Sequence, residues 1–311
     1  MASTPPIIQP QADELVFLIG RPPMSEFLGF VTNQTVGGQS ADLRALADQW
    51  RAANDHIHDL ESHEAGLADG VVVQPLDASV EPLRGTVLAD PFFQRSFALI
   101  PASLGVVELD RLVVFQKNIN LTYARTLEQS LGPSPSAETI FRFCLPFDHP
   151  QPPVNLGRIA GNQFVFYSPS TDFRFLDAAL LQPRQITGYS SEGPLSGVVA
   201  LMVGYGSNFL NVVQAEGRLI LNNGSHRAYA LRSRGITHAP CVLQQISRRE
   251  ELEFVGNQDL QSKPDLYLKG RRPPLLKDYF DPALRSVLLV PRRSRQVKIT
   301  FGLEVMDVPI A

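Results

Sequence analysis

Cysteine and tryptophan are scarce in this sequence of 311 residues, which has two of the first and one of the second. Cys144 and Cys241 both lie in apolar stretches, "FRFCLPF" and "HAPCVLQQI". We therefore expect two buried thiols that behave as small hydrophobic groups, rather than a disulfide pair or a metal site. Such thiols fit a reducing compartment.

A strong excess of one charge is also absent, because 28 Lys and Arg stand against 31 Asp and Glu and give a net charge of −3. The chain as a whole is therefore no polyanion binder, and we do not expect nucleic acid as a partner. Hydrophobic runs of the roughly 18 residues that span a bilayer are missing, and the first twenty residues lack the basic and long apolar parts of a secretory signal. We expect a cytoplasmic protein with no membrane partner.

The composition, 44% hydrophobic and 19% charged, is that of a globular protein long enough for two domains. Proline, glycine and serine clusters divide the chain into four parts. We predict an N-terminal α/β region of unknown role (1–130), where a protein partner could bind, a Pro- and Ser-rich linker (131–156), a third part (157–247) and a basic C-terminal extension (248–311). The extension has 12 Lys and Arg against 9 Asp and Glu, which indicates a solvated basic face.

Several local patterns predict secondary structure of a mixed α/β (α+β) class. "SADLRALADQWRAANDHIHDLESHEAG" has apolar residues at helical spacing, so we expect a helix capped by Ser40 that stops at Gly66. "ELVFLIG" before "GRPP" predicts a strand, and the last forty residues predict a short helix and two late strands. The apolar stretch before Gly206 predicts a helix or another buried segment.

The most organised stretch is "LILNNGSHRAYALRSRGITHAPCVL", at 219–243. It follows "NVVQAEGR", and together they predict a hairpin with its turn at Glu216 and Gly217. A helix is expected from Ser225 to about Arg234. Gly235 would end this helix in the left-handed conformation, and a strand would follow.

The turn that opens this helix has the features of an anion site. The first N–H groups of a helix lack partners, and together with the helix dipole they attract negative charge. Gly224 would leave room for a phosphate, Arg227 could add two donors, and His226 could add a donor or a proton. A structural alternative stays open, in which Ser225 caps the helix, Asn223 and Gly224 serve the backbone, and Arg227 pairs with a carboxylate.

Gly224, Ser225, His226 and Arg227, with Ala228 and Ala230 behind them, resemble the turn of the ParB/sulfiredoxin superfamily. Sulfiredoxins have Gly-Cys-His-Arg there, and ParB partition proteins have Gly-Glu-Arg-Arg. The resemblance covers about residues 175–247 and implies that the third part, 157–247, is a ParB/sulfiredoxin-like module in the C-terminal half. It also implies a bound nucleotide, ATP or CTP with Mg²⁺, whose phosphates these four residues and Asn223 would hold.

Two departures narrow the function that the resemblance implies. Ser225 stands where a sulfiredoxin needs its reactive cysteine, and a serine hydroxyl lacks thiolate reactivity, so we expect no sulfinic acid reduction. The proline-broken sequence after Gln245 offers no helix-turn-helix, so we do not expect chromosome partition.

Other members of the superfamily are small-molecule kinases or nucleotide hydrolases, which need a carboxylate near the phosphates. Glu216, Glu192 and Asp177 are candidates, and we expect His226 and Glu216 to act in catalysis. The alternative is a regulatory or partner-binding protein that uses the same fold as a scaffold without turnover.

Overall fold

The computed structural model describes residues 11–149, 151–170, 172–190, 192–256 and 258–308. Helices and small sheets share these residues, so the protein has the mixed α/β class that the sequence predicts. Within these ranges, no helix is both long enough and apolar enough to cross a membrane.

The described strands are, in chain order, β1 (Ala12–Leu18), β2 (Ala102–Glu108), β3 (Asn118–Asn120), β4 (Asn155–Ala160), β5 (Gln163–Ser168), β6 (Phe173–Leu181), β7 (Val198–Tyr205), β8 (Asn211–Ala215), β9 (Arg218–Asn223), β10 (His238–Gln245), β11 (Arg285–Pro291) and β12 (Arg295–Thr300). The described α-helices are α1 (Met24–Gln34), α2 (Leu43–His63), α3 (Glu81–Ala89), α4 (Pro91–Ser96), α5 (Leu121–Leu131), α6 (Ala137–Cys144), α7 (Ser225–Ser233), α8 (Leu252–Val255), α9 (Gln258–Ser262) and α10 (Pro264–Leu268). Short 3-10 turns form at Gly38–Ser40, Leu109–Arg111, Pro183–Gln185, Arg249–Glu251 and Leu276–Phe280.

The chain forms two compact units, each built from two separate stretches of sequence. The first unit contains the described residues up to Asp148 and Asn208–Arg292, and the second contains His149–Ser207 and the described residues from Arg293 on. This arrangement differs from the four consecutive parts predicted with boundaries at 130, 156 and 247. Composition marks local breaks, whereas units are defined by strand pairing between distant segments, such as β1 with β11 and β2 with β10.

The first unit contains two sheets, with strand orders β11-β1-β3 and β2-β10-β8-β9. β10 runs antiparallel to β2 and parallel to β8, and its residues from Ala239 to Leu243 are all buried. A strand with a continuous buried run is covered on both faces, as is typical of the centre of a sheet. The predicted strand over "ELVFLIG" is confirmed as β1, whose last four residues are buried.

The core of the first unit packs around the second of these sheets and includes both cysteines. Cys144 ends α6 and Cys241 lies in β10, and both are free and buried, as the sequence predicts. Burial raises the pKa of the Cys144 thiol to about 12. A thiol with such a pKa stays protonated at neutral pH and is unreactive.

The second unit contains a three-stranded sheet of order β12-β5-β4 and a two-stranded ribbon of β6 and β7. Among its described residues only Val165, Ser168 and Phe173 are buried. The apolar stretch before Gly206, expected as a helix or a buried segment, forms the strand β7 with Leu201 and Met202 exposed. Valine and other β-branched residues favour an extended strand over a helix.

The long N-terminal helix is confirmed as α2, but its first turn differs from the prediction. Its N-cap is Asp42 and not Ser40, which belongs to a preceding 3-10 turn. The Asp42 carboxylate accepts hydrogen bonds from the main-chain N–H groups of Arg44 at 3.0 Å and Ala45 at 3.1 Å. A carboxylate there also interacts favourably with the positive end of the helix dipole.

The segment expected as a linker, 131–156, contains the helix α6. The hydroxyl of Ser136 accepts from the main-chain N–H of Thr139 at 3.1 Å and caps this helix. Phe141 and Cys144, three residues apart and hence on one helical face, are fully buried in the core of the first unit. The surrounding prolines mark loops at both ends of a helix that belongs to the core.

Candidate functional site

The stretch around Gly224 forms the predicted order of hairpin, turn, helix and strand. β8 and β9 pair antiparallel, and the hairpin turn has positive φ at Glu216 (47°) and Gly217 (79°). α7 begins at Ser225, and Gly235 follows its end with a φ of 79°. β10 then returns parallel to β8. These local elements are confirmed, and they place the start of α7 at one end of β9.

Gly224 has a backbone that other residues adopt only with strain. Its φ is 91°, in the left-handed region, and it is the N-cap of α7. A Cβ at this position would lie 3.1 Å from the Cα of Leu210, which is main chain and cannot turn aside. Its N–H donates to the side-chain oxygen of Asn223 at 2.9 Å. Glycine is therefore required here by both conformation and space.

The first turn of α7 has no side-chain cap. Because the N-cap is Gly224, the cap has no side chain, and Ser225 is the first helical residue rather than the cap. Ala228 is the first residue whose N–H bonds back along the chain, to the carbonyl of Gly224 at 2.9 Å. The main-chain N–H groups of Ser225, His226 and Arg227 donate to none of the described residues. Three donors thus lie at the positive end of the helix dipole without a partner in the described protein, as is usual for the first turn of an α-helix.

Arg227 is a buried cation in this same first turn, and only 9% of the residue is exposed. Its guanidinium donates to the main-chain carbonyl of Asn208 and lies over the ring of Phe143, 5.9 Å from the ring centroid. No Asp or Glu among the described residues of the first unit forms an ion pair with it. Burial lowers the pKa of Arg227, opposed by its neighbours Cys144 and Tyr123, neither of which is a carboxylate. The structural alternative, in which Arg227 pairs with a carboxylate, is therefore not observed among the described residues of the first unit.

His226 makes a structural hydrogen bond with Asn120 that could not be predicted from the sequence. Its Nε2 accepts a hydrogen bond from the main-chain N–H of Asn120 at 3.0 Å, so Nε2 has no proton and the neutral ring carries its proton on Nδ1. The ring packs edge-on against Tyr123, with centroids 5.3 Å apart. Burial lowers the pKa of His226 to about 4. The imidazole is thus neutral at pH 7 and joins α7 to the start of α5.

The sequence analysis did not predict Asn120 and Tyr123 as neighbours of the turn, because they lie more than a hundred residues before it. One local signal was present, since Asn120 precedes an amphipathic stretch and is the N-cap of α5, accepting from the N–H of Tyr123 at 2.9 Å. That signal predicts a helix start, but it does not predict that a second helix start lies beside it.

The candidate carboxylate of the first unit, Glu216, does not lie at the turn. Glu216 lies at the opposite end of β9 from Gly224, and a strand of six residues spans roughly 20 Å. Its carboxylate pairs with Arg249, with one contact of 3.1 Å, and this pairing lowers the pKa of Glu216. Asp177 and Glu192 belong to the second unit. Glu216 is therefore not part of the candidate site. The site consists of the turn from Gly224 to Arg227, with Asn208 and Asn120 beside it.

Comparison of the chain with family models, with curated proteins and with solved structures found no match. The resemblance to the ParB/sulfiredoxin superfamily thus rests on the turn residues and on the order of elements around them.

Proposed function

We propose that the protein binds a nucleotide, ATP or CTP, through its phosphates at the turn from Gly224 to Arg227, within a ParB/sulfiredoxin-like module. The observation that supports this most is the buried guanidinium of Arg227, which lacks a carboxylate partner in its unit. It belongs to the first turn of a helix, where three N–H groups donate to none of the described residues. A cation is unfavourable at the N-terminus of a helix and costly to bury unpaired. The negative charge of a phosphate group would offset both the positive end of the helix dipole and the buried charge of Arg227.

Binding without turnover is the second candidate, and specific observations favour it. Hydrolysis or phosphoryl transfer needs a group that activates the nucleophile. The Nε2 of His226 is engaged by Asn120, and Glu216 lies at the far end of the hairpin. A nucleotide held at this turn would then act as a regulatory switch on a scaffold.

The residues present fit a phosphate better than they fit a metal ion. Within the described part of the chain, no group of three or more His, Cys, Asp or Glu side chains is arranged to hold a metal. We therefore place the Mg²⁺ expected with ATP or CTP on the phosphate oxygens of the nucleotide, where it would offset their charge.

Calorimetric titration of ATP, CTP, GTP and ADP, with Mg²⁺, tests the proposal on wild type and on Arg227→Met. Methionine keeps the length of the buried stem and removes the charge. We expect one nucleotide to bind, and the variant to bind it about 10- to 100-fold more weakly, the range for a lost charge-assisted hydrogen bond. Without nucleotide the variant should unfold at the same or higher denaturant concentration than wild type, because an unpaired buried charge has been removed.

Arg232→Met is the matched control, since Arg232 lies in the same helix and is paired with Asp110 at 2.5 Å. It should keep nucleotide affinity. Equal loss of affinity in both variants, or no binding of any nucleotide to wild type, would overturn the proposal. Release of free phosphate during the titration would decide between turnover and binding alone.

A further inference from the structure

The first unit contains a cavity whose lining residues do not include α7. Its wall is formed by the end of β1 with the residues after it, by the segment at 114–117, and by the short helices α9 and α10. The volume of the cavity that the centre of a water molecule can occupy is about 70 Å³. One water needs about 10–15 Å³ on this measure, so the cavity has room for a small ring rather than for a single water.

Two polar side chains of this wall have unmet hydrogen bonds. In the described part of the chain, the buried side-chain nitrogen and oxygen atoms without a partner are Arg21 Nε and Gln116 Oε1, and both residues line this cavity. An unmet buried polar group costs about 1–3 kcal/mol. Two such groups in one wall, one donor and one acceptor, would be satisfied by a ligand that offers an acceptor and a donor.

The rest of the Arg21 side chain is held in place. One terminal nitrogen donates to the main-chain carbonyl of Arg272, and the other lies 3.6 Å from the Glu61 carboxylate. Both terminal nitrogens are therefore engaged, and the Nε–H is the donor of this side chain that has no partner. Gln116 contributes a side-chain amide whose buried oxygen has no partner among the described residues. It can donate and accept at once.

The charges of the wall are balanced. The lining includes three cations and three anions, namely Arg21, Lys117 and Lys263 with Glu26, Asp259 and Asp278. Within this set Lys117 pairs with Glu26 at 2.6 Å, and Asp278 is paired with the buried Arg272. A ligand that brings a net charge would gain little here.

The remaining wall is apolar and suits a flat ring. Phe115 and Tyr267 contact each other edge-on, with centroids 6.4 Å apart, and Leu266 lies beside them with 36% of its surface exposed. Pockets that bind small molecules combine such walls with a few polar groups that fix orientation.

We propose that this cavity binds a small uncharged cyclic amide, a lactam or ureide ring, which pairs its N–H and C=O with the amide of Gln116 and offers an acceptor to Arg21. A cis amide in a ring presents a donor beside an acceptor, the complement of a carboxamide edge. The site is independent of the phosphate site at Gly224.

Titration of the full chain with δ-valerolactam, followed by saturation-transfer NMR, tests this site. We expect saturable binding with a dissociation constant on the order of 1 mM, as ligands of this size allow. Cyclohexanone, which has the same ring size and no N–H, should bind at least about 3-fold more weakly, and Gln116→Leu should weaken the lactam by about 3- to 10-fold.

Leu266→Trp should abolish binding by filling the cavity from its rim, without touching the polar groups. Leu99→Trp is its matched control, because Leu99 is 73% exposed and does not line the cavity. The proposal is overturned if the lactam fails to saturate wild type, if it binds Leu266→Trp as well as Leu99→Trp, or if cyclohexanecarboxylate binds better than the lactam. The Leu266→Trp comparison decides the matter even if Gln116→Leu does not fold.

Discussion

At the scale of single residues, Gly224 and Arg227 have separate tasks at the same turn. Gly224 allows a left-handed backbone against Leu210, and Arg227 supplies charge. The sequence predicted that glycine matters here, either to leave room for a phosphate or to serve the backbone of the turn. The contact with Leu210 could not be predicted, because it depends on how the segment before β8 packs against the end of β9.

Gly224→Ala should destabilise the protein more than Gly235→Ala. Both residues have positive φ, 91° and 79°, so both substitutions meet the left-handed penalty of about 1–2 kcal/mol. Only at Gly224 would the new Cβ also press on main chain, because Gly235 has open space around it. Urea unfolding of the two variants measures the difference. Equal losses would show that the contact with Leu210 is relieved by a small backbone shift.

At the scale of elements, the hairpin, α7 and β10 were predictable because their signals are local. Turn glycines mark their ends, and the apolar run of β10 marks its burial. The bond between α7 and α5 was not predictable, since His226 and Asn120 lie 106 residues apart. A histidine beside an arginine in such a turn suggests chemistry, and the structure shows that its Nε2 is used to join two helices.

The burial of His226 makes stability depend on pH. The unfolded chain takes up a proton on His226 near pH 6.5, whereas in the native state its pKa is about 4. Stability from this group is therefore complete above pH 6.5 and is lost as the pH falls toward 4, by at most about 1.4 kcal/mol per pH unit. Denaturant unfolding at several pH values should show this slope in wild type.

His226→Gln is the comparison that isolates this effect. Glutamine can accept from the N–H of Asn120 but does not titrate, so its stability curve should be flatter between pH 6.5 and 4. Carboxylates such as Glu64 and Asp281 also lower stability in acid, because their native pKa values lie below the usual range, but they do so equally in both proteins. Parallel curves for the two proteins would show that His226 is not held neutral.

At the scale of the whole molecule, the class of the fold followed from the sequence and its division into units did not. Two late strands were expected and are confirmed as β11 and β12, which are separated by only three residues. β11 pairs with β1 in the first unit, whereas β12 pairs with β5 in the second. The pattern of apolar residues indicates that a strand exists. Which strand it pairs with depends on packing between distant segments, and this cannot be read from one sequence.

The central proposal, a nucleotide phosphate held by the start of α7, is tested most directly by amide NMR of the full chain. ATP and CTP with Mg²⁺ would be titrated while the backbone N–H signals of Ser225, His226 and Arg227 are followed. We predict that one nucleotide moves these three signals along a saturable curve, because their amides gain a phosphate as acceptor. Signals that stay in place while nucleotide is added to saturation, or shifts confined to other parts of the chain, would contradict the proposal.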